Sequence, residues 1–142
     1  MSNEQTMTTS AVDTMREIFG EPIHTYTRAQ ALADGVLVDL MQDEMAGVAR
    51  QHFKHPIACT AAVWDIITRA VENPNYHNDY AGVLHDILWM CRKMGKPIDE
   101  TAMRFPVVIV GAGRRRLYEF KMQVGPGDAA EPVMTLMLST ED

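Results

Sequence analysis

Residues 117–124, LYEFKMQV, alternate without a break, with Tyr118, Phe120, Met122 and Val124 on one side and Leu117, Glu119, Lys121 and Gln123 on the other. A strand points successive side chains to opposite faces, so this pattern predicts one dry face and one mostly wet face, with Tyr118, Phe120 and Met122 turned toward a core. Apolar runs flank it: PVVIV at 106–110 and PVMTLML at 132–138. The intervening segments, GAGRRR at 111–116 and GPGDAAE at 125–131, carry the glycines, proline and aspartate that turns require. The pattern predicts a three-stranded antiparallel meander over residues 105–138.

Upstream the period changes to that of helices. Val12, Met15, Ile18 and Phe19 recur at helical spacing before Gly20, and Thr27 with Gln30 forms a capping-box pattern ahead of a short helix that Gly35 ends. VLVDL at 36–40 reads as a short strand running directly into a helix at 41–53, where Met41, Met45, Val48 and His52 share a face and His55-Pro56 makes the break. Residues 58–72 read as one helix burying Val63, Ile66, Ile67, Ala70 and Val71. The longest helix starts after Asn78 or Asp79 and runs to Gly95, with a stripe of Tyr80, Val83, Leu84, Ile87, Cys91 and Met94. Trp64 and Trp89 fall on these last two helices and are expected to pair in the core. Helices first and strands last predict an α+β fold: a single domain over 11–142 behind a disordered leader at 1–10, with helices on one face of a small antiparallel sheet formed mainly by the C-terminal meander.

A chain of 142 residues can bury enough apolar surface to fold without a metal or disulfide. Residues 1–10 lack the basic start and apolar stretch of a signal peptide, and no apolar run approaches the roughly 20 residues that span a bilayer, so a cytoplasmic protein with no membrane partner is expected. The two cysteines, Cys59 and Cys91, lie far apart on apolar helical positions, where a thiol serves as a small hydrophobe.

Catalytic and metal chemistry find little support. His52 and His55 form an HxxH pair, but it straddles a predicted helix end and lacks the glutamate that zinc proteases place between the histidines. His77 and His85, with Asp79 and Asp86 nearby, lack a third strong ligand, and His24 has no placed neighbours. No GxSxG or comparable nucleophile context occurs, and adjacent residues such as His85 and Asp86 diverge around a helix. Gly111-Ala112-Gly113 comes after a strand as a phosphate loop would, but the chain from Arg114 onward alternates as a strand rather than opening a helix. No catalytic residue, metal ligand or cofactor is assigned.

The remaining candidate is basic. Arg114, Arg115 and Arg116 project from the first turn of the meander, with Tyr118 close by and Lys121 on the outward face, a set suited to phosphate or to an acidic protein patch. A solvated turn is the plain alternative. A net charge of −6 argues against a surface built for nucleic acid, whose affinity comes largely from neutralising phosphates. The 11 methionines favour an adaptable protein-binding surface over a rigid pocket.

Four stretches carry a family likeness: YTRAQALADGVLVDL at 26–40, HPIACTAAVW at 55–64, NDYAGVLHDILWM at 78–90 and VGPGDAAEPVMTLMLSTED at 124–142. Together they resemble an uncharacterised family of small proteins encoded on bacterial plasmids, prophages and other mobile elements. The resemblance covers most of the chain beyond about residue 22, and the GPGD-x-x-EPV-x-T-x-M ending is its most specific part. It brings no catalytic residues. It implies a dispensable accessory of mobile DNA, a class that includes antagonists of restriction and CRISPR defence, maintenance factors and regulators. The acidic balance, the methionine count and the lack of a catalytic constellation point to one that acts without catalysis, by binding a host or mobile-element protein. A nucleic-acid-associated regulator using Arg114, Arg115 and Arg116 is the alternative.

Overall fold

The computed structural model describes residues 26–141. The expected leader and first helix lie outside the described residues. The elements run in the order α1 (Arg28–Asp34), β1 (Leu37–Asp39), α2 (Asp43–His52), β2 (Ile57–Thr60), α3 (Ala61–Glu72), α4 (Tyr80–Met94), β3 (Lys96–Pro97), β4 (Ala102–Val108), β5 (Leu117–Pro126) and β6 (Pro132–Leu138). The fold is α+β, and the C-terminal strands β4, β5 and β6 are adjacent and antiparallel as the alternation predicts.

The sheet is larger than the meander. Six strands run in the order β1-β2-β6-β5-β4-β3, and β2 lies parallel to β6 with Cys59 beside Leu136. Residues 57–60 are therefore a strand where the helical reading begins at residue 58. Helix α3 starts only after Thr60, whose Oγ1 accepts from Val63 N at 3.4 Å. Strand β2 lies between two neighbours and buries Ile57, Ala58 and Cys59 almost completely, so it shows none of the alternation that exposes a half-wet strand. Strand β4 also differs from its reading: it begins at Ala102 and stops at Val108, and Pro106 is accommodated where β3 no longer reaches and β4 forms the sheet edge.

Helices α2, α3 and α4 back one face. Phe105, Val107, Tyr118, Phe120, Met122 and Leu136 meet Val63, Ile67, Leu84, Ile87 and Leu88 in one core, with Phe105 and Phe120 edge to face at 6.1 Å. Leu88 joins the buried stripe of α4, whereas Met94 is about half exposed. The two tryptophans do not pair. Trp64 stacks on Tyr80 at 5.2 Å, while Trp89 points outward against His85 because its position on α4 falls outside the buried stripe.

Helix α1 is attached to the opposite face. Arg28 Nη1 donates to Thr135 Oγ1 at 2.8 Å, and Thr135 alternates with the core residues Met134 and Leu136. Its capping box is formed as expected, with Thr27 accepting from Gln30 N and Gly35 closing the helix at φ 78°.

Candidate functional site

Strand β4 gives way to a loop at 109–116, and three side chains from the α3 end of the molecule fix its backbone. Asn78 Nδ2 donates to Val110 O at 2.9 Å, Asn73 Nδ2 donates to Gly111 O at 3.0 Å, and Arg69 Nη1 donates to Ala112 O. Ala112 is buried against the core, and Gly111 takes φ 96°, a conformation that strains any residue with a Cβ. At Gly111 a Cβ would also meet the Tyr76 ring at 3.0 Å. The loop is thus a fixed platform. Sequence spacing alone does not reveal these anchors, because Asn73 reads as a helix stop and Asn78 as a candidate cap of the next helix, and their bonds reach more than 30 residues along the chain.

Arg114, Arg115 and Arg116 leave this platform toward solvent. Arg115 folds back, donating from Nε to Leu117 O at 3.0 Å with its guanidinium 5.5 Å from the Tyr118 ring centre. Arg114 and Arg116 have no ion pair among the described residues. Just below them Val108 and Leu117 pair across β4 and β5, each 60% exposed, on the sheet face opposite the helices. Arg114 and Arg116 thus stand beside exposed apolar side chains on a backbone held by hydrogen bonds from Arg69, Asn73 and Asn78.

The other two residues of the predicted set are not part of that surface. Tyr118 is buried, and its hydroxyl donates to Arg115 O at 3.1 Å, so it supports the turn from beneath. Lys121 lies on the outer face but farther along β5, opposite Arg104, and its Nζ donates to Glu141 O at 2.6 Å. Val108, missed in the sequence reading, is detectable there only as the apolar partner of Leu117 in a hairpin register.

The GPGD ending has a structural task. The Asp128 carboxylate accepts from Arg28 N at 2.8 Å and Ala29 N at 3.0 Å, holding the start of α1. Glu131 Oε1 accepts from Ala129 N at 3.0 Å and packs where a Cβ at Gly127 would collide with it.

Histidines gather differently from either predicted pair. His52 Nε2 lies 3.0 Å from His85 Nδ1, and Arg92 Nη1 lies 3.2 Å from His52 Nδ1. Partial burial holds the His52 pKa below its ordinary value, with the His85 and Arg92 charges acting in the same direction. His55 and His77 do not join this pair, and Asp79 caps α4 by accepting from Gly82 N at 2.7 Å. Among the described residues no group of three or more His, Cys, Asp or Glu converges as a metal site. Burial pushes the Cys59 thiol up to about 12 and the Cys91 thiol up to about 11, which leaves both unreactive at neutral pH. No described helix is long and apolar enough to cross a membrane.

Neither the curated proteins nor the solved structures include a match to this chain. A family model does match, over residues 15–142, which takes in every element described above. The chain belongs to that family, described as a family of unknown function (DUF6573).

Proposed function

We propose that the protein is a non-enzymatic binding module that docks on an acidic surface of another protein through the loop at 109–116. One observation carries the reading. Arg114 and Arg116 have no ion pair among the described residues and stand on a backbone fixed by Asn73, Asn78 and Arg69, directly beside the exposed Val108–Leu117 pair. Arginine is enriched in interface hot spots, guanidinium forks match carboxylates, and the exposed Val108 and Leu117 side chains offer apolar area beside them. The apolar pair and the net charge of −6 favour a protein over a nucleic acid. The resemblance to proteins of plasmids and prophages sets the context as an accessory of a mobile element, with interference in CRISPR or restriction defence as its most concrete form.

Affinity purification from the native host, with quantitative comparison of wild type, the triple variant Arg114→Ala/Arg115→Ala/Arg116→Ala and Leu117→Asp, tests this. A co-purifying protein that both variants lose, while both still fold, is the expected result. A partner retained by both variants sinks the site. Gel shifts address the nucleic-acid reading: tight binding that weakens with a log–log salt slope of about −0.9 per phosphate, and disappears in the triple variant, would replace the protein partner by DNA.

A further inference from the structure

A cavity of about 240 Å³ opens at the far end of the sheet from the arginine loop, between the last turn of α4, the β3–β4 connection and the inner sides of β4–β6. Its depth is apolar and sulfur-rich. Cys91, Met122 and Met134 form a buried floor, and Met103 Sδ lies 3.7 Å from Cys91 Sγ. Thioether side chains rotate freely and polarise, so such a wall adapts to apolar bodies of differing outline. Burial keeps the Cys91 thiol neutral, and the floor therefore carries no charge.

The mouth carries negative charge. Asp99, Glu100 and Thr101 line it and are exposed. The Asp99 carboxylate accepts from Thr101 N at 2.7 Å and Thr101 Oγ1 at 2.9 Å, bonds that fix its position and hold it below the usual carboxylate range. Glu100 has no ion pair among the described residues. Lys121 also acts on Asp99, but its side chain belongs to the outer face of the sheet and is bonded to Glu141 O. A compact apolar cavity with a few polar groups at its rim is the general form of a small-molecule site.

We propose that this cavity binds a small amphiphilic cation, with a ring or short alkyl body against Met103, Met122 and Met134 and an amine head between Asp99 and Glu100. Carboxylates at the rim select the sign of the head group, and the apolar floor selects the body. The site is separate from the arginine loop and stands or falls without it.

The test is a titration of the full chain, labelled with carbon-13 at its methionine methyl groups, with hexylamine, hexan-1-ol and hexanoate. Hexylamine is expected to shift the methyl signals of Met103, Met122 and Met134 saturably, with hexanoate roughly tenfold weaker or silent. Glu100→Gln should weaken hexylamine and leave hexan-1-ol unchanged. Val124→Phe, at the partly exposed Val124 of the lining, should reduce binding of both. Equal responses to the three probes, no shift of these methyl groups by hexylamine, or unchanged hexylamine affinity in Glu100→Gln would each overturn the proposal. Should Val124→Phe fail to fold, the exposed Glu100→Gln and the probe series decide it alone.

Discussion

Between β5 and β6 the chain turns over residues 127–131, with Gly127 N donating to Glu131 O, and between β4 and β5 it turns on Gly111 and Gly113 and carries three arginines. In the first turn the exposed side chains bond back to the backbone, as Asp128 holds α1 and Glu131 accepts from Ala129 N beside Gly127. In the second the direction is reversed: other elements hold the loop backbone, and Arg114 and Arg116 are left to solvent. The more distinctive motif is therefore the structural one. For the docking role proposed above, the second turn is the better suited, because its backbone is ordered on folding and only the arginine side chains remain to be fixed on binding.

The comparison can be broken first at the strand the two turns share. Phe120→Ala removes a fully buried aromatic between them and should cost about 3–5 kcal/mol in denaturant unfolding. A loss below about 1 kcal/mol would mean that β5 is not the core strand on which both turns depend. Next in size, Asn78→Ala removes the donor to both Val110 O and Ala70 O and should cost about 1–3 kcal/mol. Amide exchange should speed up at 111–113 in the same variant, and unchanged exchange there would show that the loop holds its shape without the anchor.

Asp128→Ala should cost about 0.5–2 kcal/mol, the usual range for a lost helix cap, with faster exchange confined to α1. Asp128→Asn, which keeps one acceptor, should recover part of that loss. If instead Asp128→Ala left stability intact and removed the biological activity, the roles of the two turns would be exchanged. Smallest of all, the triple Arg→Ala variant should stay within about 0.5 kcal/mol of wild type while losing its partner. A larger loss of stability would assign the arginines to the fold.

The meander was legible because β5 has one dry and one wet face, so its burial is written in alternate residues such as Glu119 and Phe120. The capping box at Thr27 and the extent of α4 were legible for a similar reason, since their signals are local. Strand β2 was not, because a strand covered on both faces reads as a plain apolar run and merges with the helix after it. Of the candidate site, the arginines were visible as charge. The burial of Tyr118 was legible in the same alternation, whereas the engagement of Lys121 was not, since it depends on Glu141 arriving beside it.

The sequence by itself determined the secondary structure that rests on local periodicity, the α+β order and the presence of a basic turn, because those depend on neighbours within a few residues. Tertiary structure decided the parallel pairing of β2 with β6, the attachment of α1 to Asp128 and the anchoring of the loop by Asn73, Asn78 and Arg69. Each of these joins residues tens of positions apart, and contacts of that kind are selected by how the whole core closes rather than by any pattern along the chain.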